Sequence, residues 1–337
     1  MSRTTPFRPV LTRRALLPLA AGAALAPAAA WAFPDRQMTM ITGYAPGGST
    51  DLAARLLAEE MPRHMGVGGR MVVENRPGAA GTVASEWLTR QPADGHTLML
   101  TETGAALAAP VVRVGGTPYH PINDFTHLGF ISRPPAVLVV TPSLAADNPA
   151  ETLARLRAHA PGVLTYASSG VGGMIHIWGE MVSRALGVQA VHVPYRSGAQ
   201  MTQSIMTGET QFGVAAMASA VPLLRQGSIR AVGLIGNARF APMPEVPTLG
   251  ELGMDGFDTG SLFMLVGPAG IPDAVAEVIN RALQAALADA TVAERMLNAG
   301  LPPAPPPNGL SDARALMVDQ YGRLQAVVAE TGIRIEN

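Results

Sequence analysis

Residues 44–51 read Tyr44-Ala45-Pro46-Gly47-Gly48-Ser49-Thr50-Asp51, and the chain changes character across them. Before them, Met38-Thr39-Met40-Ile41-Thr42 is short, apolar and extended in character; after them, Leu52, Ala53, Leu56, Leu57 and Met61 recur at helical spacing. The octapeptide is therefore a strand-to-helix turn, bent by Pro46 and two glycines, with Ser49 or Thr50 placed to cap the helix. Such a turn gathers unpaired backbone N–H groups and the positive end of a helix dipole at one point, where a carboxylate or phosphate fits without a charged side chain. Gly48 is expected to allow close approach and to hold a backbone conformation that a β-branched residue refuses. The alternative is a well-made turn that binds nothing.

Toward the N-terminus, Arg3, Arg8, Arg13 and Arg14 stand in a segment without acidic residues. Residues 15–30 are nearly continuous alanine and leucine, and Ala30-Trp31-Ala32 fits a cleavage site. Residues 1–32 thus read as a secretory signal peptide, too short and too alanine-rich to span a membrane. Thr12-Arg13-Arg14-Ala15-Leu16-Leu17 fits a twin-arginine signal, which implies bacterial export in a folded state, although paired arginines also occur in ordinary secretory signals. The expected location is the periplasm.

Removal of residues 1–32 leaves 305 of the 337 residues. Of the 24 basic residues, all arginine, four leave with the leader, so 20 face 25 acidic ones. A mildly acidic chain without a basic run is a poor nucleic-acid binder. No second apolar stretch of about 18 residues exists, so the mature chain is expected to be soluble. Without cysteine there are no disulfides, thiolate metal sites or cysteine nucleophiles.

Downstream, residues 70–74, 97–101, 136–140, 164–167, 191–193, 212–216 and 231–235 read as strands, and 262–266 as a returning one. Helices are expected over 82–90 and 149–159, and at the C-terminus, where Leu316, Met317, Tyr321, Leu324 and Val328 keep helical spacing. Alternating strands and helices with short connections imply an α/β fold with parallel pairing and helices on both faces. A second glycine-rich turn, Ser168-Ser169-Gly170-Val171-Gly172-Gly173, precedes a helix carrying Ile175, Met181, Val182 and Leu186 on one side. No internal repeat is visible.

Catalytic signatures are missing. A P-loop lysine is impossible, and no G-x-S-x-G elbow occurs. The seven histidines show no metal-ligand spacing. Gly170-Val171-Gly172 begins like a dinucleotide fingerprint, but Ile175 replaces the third glycine and no acidic residue ends the next strand. His176 is either a packed or capping helix residue or a general base. Neither cofactor nor metal is expected, and the chain does not read as an enzyme. Two glycine-rich helix starts at strand ends are left, placed where open α/β sheets bind ligands.

Further motifs complete an ordered set. They are Val73-Glu74-Asn75-Arg76-Pro77-Gly78-Ala79-Ala80-Gly81, Pro92-Ala93-Asp94-Gly95-His96-Thr97 and Asp124-Phe125-Thr126. Val193-Pro194-Tyr195-Arg196, Pro244-Glu245-Val246-Pro247-Thr248 and Gly267-Pro268-Ala269-Gly270-Ile271-Pro272 follow. With residues 44–51 they cover the mature chain in order and spacing, and the chain resembles the Bug-type substrate-binding proteins of tripartite tricarboxylate transporters.

The resemblance implies a two-lobed periplasmic-binding-protein fold, type II-like, that closes on its ligand like a Venus flytrap. It places lobe one at 33–134 plus 255–337 and lobe two at 135–254, with crossover strands near Ala136 and Leu262. It implies a small organic acid as ligand, the transporter's membrane components as partners, and a monomer. Ala45, Pro46, Gly47, Gly48, Ser49, Thr50 and Asp51 would hold a ligand carboxyl, partly through water, with Glu102 and Thr103 beside them. Ser168, Ser169, Gly170, Gly172, Gly173, His176, Tyr195 and Ala215 would supply lobe two's contacts.

The departures from the family pattern bear on the ligand. Gly173, Met174 and Ile175 replace a hydroxyl-bearing start of the second helix, and Ala215-Ala216 replace a polar pair. Glu102 stands where relatives carry a small or hydroxyl residue, and it points either at the ligand or to solvent. A carboxylate there would repel a second ligand carboxylate, so the expected preference is for a monocarboxylate, an amide or an aromatic acid over citrate-like tricarboxylates. The rivals are an exported periplasmic enzyme and a sensor subunit that hands the same ligand to a signalling partner.

Overall fold

The computed structural model describes residue 1 and residues 33–66, 69–236, 238–257, 261–331 and 334. The chain divides into Met1–Phe33 and Pro34–Asn337, and the signal peptide expected over 1–32 lies almost wholly outside the described residues. Among the described residues no helix is long and apolar enough to cross a membrane.

Ten strands are described. They are β1 (Met38–Thr42), β2 (Met71–Asn75), β3 (Thr97–Glu102), β4 (Phe125–Ser132) and β5 (Ala136–Val140), then β6 (Thr165–Ser168), β7 (Val191–Pro194), β8 (Phe212–Ala216), β9 (Arg230–Ile235) and β10 (Phe263–Pro268). They form two five-stranded sheets, ordered β2-β1-β3-β10-β4 and β7-β6-β8-β5-β9. The two orders are one topology used twice: three parallel strands, one strand arriving from the other half of the chain, and an edge strand. The sequence shows no trace of this repeat.

Parallel pairing holds where a helix intervenes, in β2-β1-β3 and β7-β6-β8. It fails at β5 and β10, which pair antiparallel with both neighbours. They begin at Ala136 and Phe263. Only residues 133–135 separate β4 from β5, which lie in different sheets, so the chain passes from the first sheet to the second there.

The helices are α1 (Ser49–Glu60), α2 (Thr82–Leu88), α3 (Ala109–Val112, entered through a π turn at Gly104–Ala108), α4 (Pro149–Arg157) and α5 (Met174–Leu186). Next come α6 (Gly198–Thr207), α7 (Met217–Arg225), α8 (Asp273–Ala288), α9 (Ala290–Asn298) and α10 (Leu310–Thr331). Helices cover both faces of the second sheet, so β5 is buried throughout and reads as an unbroken apolar run. Its side chains still alternate. Leu138 and Val140 pack with Tyr166, Phe212 and Trp178, while Val137 and Val139 pack with Met201 and Ile205. Ala108 and Val112, beyond the first sheet, join Met174 and Trp178 in one apolar cluster. The core therefore runs from one lobe into the other.

Candidate functional site

The first turn is built differently from the expectation. Gly48, not Ser49 or Thr50, is the N-cap, with φ −85° and ψ 175°. Ser49 and Thr50 are the first helical residues, and no side chain caps the helix. The left-handed position is Gly47, at φ 88°. Asp51 folds back on the turn: Oδ2 accepts from the Gly47 amide (3.0 Å) and Arg55 Nε (2.9 Å), and Oδ1 from Arg55 Nη2 and Asn75 Nδ2 (both 2.9 Å). Against burial, which acts upward, Arg55, Gly47 and Asn75 hold its carboxyl below the usual range. Asp51 thus fastens the turn from behind. Pro46 and Gly47 are exposed, and the Ala45 amide donates to Arg196 O of the second lobe (3.2 Å).

The second turn carries Gly170 and Gly172 at positive φ, and Gly173 as the N-cap of α5. His176 Nδ1 accepts the Gly172 amide (3.1 Å), which makes it a capping residue. Ser168 Oγ is hydrogen-bonded to His192 Nε2 (2.6 Å). The His176 and His192 rings stack at 3.8 Å, so the imidazoles tie down both ends of the turn. Burial holds both below their usual range, Glu180 opposing this at His176; at His192 the neighbouring His176 adds to it and brings the group to about 3.

The turns face each other across a closed interface. Arg113 Nη2 donates to Ala79 O (2.9 Å) and, across the interface, to Val171 O (3.0 Å). Ser49 Oγ lies 2.9 Å from Ser219 Oγ on α7. A Cβ on Gly104 would stand 2.9 Å from Gly173 Cα, and one on Gly170 would stand 3.0 Å from Ala80 N. Only glycine permits that approach.

Between the lobes lies a chamber of about 50 Å³. Its polar lining includes Tyr44, Ser49, Thr50, Glu102, Ser169, Ser219 and Ser261, with Gly48 at the start of α1; Ile175, Trp178, Met201 and Phe263 are the large members of its apolar wall. An outer cleft of about 930 Å³ adjoins it, lined by Tyr44, Arg113, Ser169, Gly170 and Tyr195 among others.

Glu102 does not point to solvent. Its side chain is buried against the chamber, with Oε1 accepting from Tyr44 Oη (2.5 Å) and the Ala105 amide (3.3 Å), and Oε2 from the Gly104 amide (2.7 Å) and Ser261 Oγ (3.3 Å). Burial pushes its carboxyl up, and these donors pull against the rise. Two other candidates are structural. Thr103 Oγ1 accepts the Leu262 amide (2.7 Å), tying β3 to the start of β10. Ala215 packs into the apolar core with Met201 and Met217. Alternation along β8 puts Ala216, not Ala215, on the chamber. Ser219, Ser261, Trp178 and Met201 escaped the sequence reading. Ser219 carries a signal, a hydroxyl in the first turn of a helix following a strand, which is the pattern of Ser49 and Thr50 at the start of α1. Among the described residues, no group of three or more histidine, aspartate or glutamate side chains is placed to hold a metal ion.

Two lobes, each on its own α/β sheet, closed over a chamber edged by glycine-rich turns, define a solute receptor of the periplasmic-binding-protein type. The chain belongs to the tripartite tricarboxylate transporter family receptors (TctC), which match residues 53–333; it is a receptor rather than an enzyme. It is 29% identical to protein BugT of Bordetella pertussis over 313 residues, 92% of this chain and 94% of that one. It superposes on the periplasmic binding protein BugD with a TM-score of 0.84 at 26% identity, covering 90% of this chain and all of that one. On R. palustris Rpa4515 with adipate the TM-score is 0.83 at 28% identity, with the same coverage.

Proposed function

We propose that this receptor captures a small organic acid between its lobes and delivers it to the membrane components of a tripartite tricarboxylate transporter. The observation that carries the reading is the chamber's polar end, where Gly48, Ser49 and Thr50 at the start of α1 meet Ser169 and Ser219 from the other lobe. Helix-start amides and hydroxyls without a cation suit one carboxylate, and drawing them from both lobes couples binding to closure. The adipate in a neighbour of the same fold supports a carboxylate ligand. Lobe one is taken as 33–134 plus 255–337 and lobe two as 135–254, in keeping with the sheet each strand joins. A monomer in the bacterial periplasm, exported through residues 1–32 by the twin-arginine route, completes the proposal.

The test is a thermal-shift panel of carboxylic acids and their matched primary amides, run beside mass spectrometry of small molecules that co-purify with the protein. Acids are expected to raise the melting temperature progressively with concentration, with a stabilisation of about 2.7 kcal/mol at a hundredfold excess over Kd, and the amides to do nothing. A panel without response, or equal response to acids and amides, overturns the reading.

A further inference from the structure

We propose that Glu102 is a built-in carboxylate that fills the chamber's second anion position, so that the receptor takes ligands bearing a single carboxylate. This rests on the reading of the chamber as a carboxylate site and names the class of acid it accepts. The first support is the company Glu102 keeps. Its two oxygens collect four donors from three stretches of chain: the Tyr44 hydroxyl, the Gly104 and Ala105 amides, and the Ser261 hydroxyl. Amides and hydroxyls converging on one carboxylate without a cation are what an anion receptor offers its ligand. Here they are spent on a side chain of the protein, one that is 7% exposed and lines the chamber.

The shape of the cradle agrees. A Cβ on Gly104 would stand 2.4 Å from Glu102 Oε1, so the backbone is drawn tightly around the carboxylate. The rest of the chamber offers a second ligand carboxylate no cation: its lining contains neither arginine nor histidine, and the Tyr44 and Ser261 hydroxyls already serve Glu102. Away from the hydroxyl residues and the helix-start glycines Gly48 and Gly198, its wall is apolar, with Ile175, Trp178, Met201 and Phe263 the largest members. A second ligand anion there would be desolvated against apolar walls and set beside Glu102, which is costly on both counts. A monocarboxylate with a short uncharged apolar body fits this chemistry: its carboxylate lies on Gly48–Thr50 and its body against Ile175 and Trp178.

The experiment is calorimetric titration of the wild type, Glu102→Ala and Glu102→Gln with propionate and with succinate. The wild type is expected to bind propionate and to bind succinate at least about tenfold more weakly, because the second carboxylate is left unpaired beside Glu102. Glu102→Ala vacates the cradle, so succinate supplies in trans the carboxylate that was removed and gains about tenfold or more over the wild type. Glu102→Gln still fills the cradle and is expected to leave succinate weak. Wild type binding succinate better than propionate overturns the inference, whether or not Glu102→Ala folds. So does a folded Glu102→Ala, checked by circular dichroism, that gains nothing for succinate. In both cases the receptor reading survives; if the wild type binds neither acid nor any other carboxylate, that reading fails first and takes this one with it.

Discussion

His192 shows how one buried group sets a pH limit on the second turn. Its imidazole is held neutral to about pH 3 by burial and by repulsion from the neighbouring His176 imidazole, while in an unfolded chain it takes a proton near 6.5. Between those values the unfolded state binds the extra proton, so this contribution to stability is complete above pH 6.5 and is lost as the pH falls toward 3. Glu102 has the opposite sign: its raised carboxyl contributes below the ordinary carboxylate range, and that contribution is lost as the pH rises through the raised value. The informative quantity is therefore a difference. The melting temperature of the wild type is expected to fall from pH 7 to pH 4 more steeply than that of His192→Gln; parallel curves would contradict the buried-pair description. Single residues were the hardest to place from sequence. Ser49 was visible because its turn announces itself, whereas its partner Ser219 lies 170 residues away and only the fold joins them. Glu102 was found, but its direction depended on Gly104, Tyr44 and Ser261.

The first turn separates two jobs that glycine performs. Gly47, at φ 88°, needs the left-handed region; Gly48, at φ −85°, does not, and a Cβ there would find nothing closer than 3.7 Å. The expectation that Gly48 holds a conformation closed to other residues is therefore wrong, and its value lies in the space it leaves beside the chamber. Gly47→Ala is expected to cost about 1 kcal/mol, lowering the melting temperature by about 2–4 °C while ligand binding persists. Gly48→Val is expected to leave the melting temperature nearly unchanged and to abolish binding, because its branches enter the chamber. Thermal melts and titrations on both variants check the pair, and an exchange of the two phenotypes would refute it. Most strands were readable to within a residue or two, since their apolar runs are bounded by glycine, proline and aspartate. β4 was not, because His127 and Gly129 interrupt its pattern, and α7 was hidden by Pro222 in its interior. The antiparallel course of β5 and β10 is a property of their distant partners.

For the molecule as a whole, two sheets of one topology meet over a chamber whose wall includes Trp178, 1% exposed on α5. The chain has three tryptophans, and Trp87, under the Arg76 guanidinium at 3.7 Å, is absent from the chamber's lining. Replacing Trp31 and Trp87 by phenylalanine leaves Trp178 as the sole emitter, and its fluorescence during titration with an acid that stabilises the protein reports on the chamber alone. A saturable spectral shift with the calorimetric Kd, absent in Gly48→Val, is the expected result; calorimetric binding that leaves Trp178 emission unchanged would place the ligand elsewhere and contradict the interlobe site.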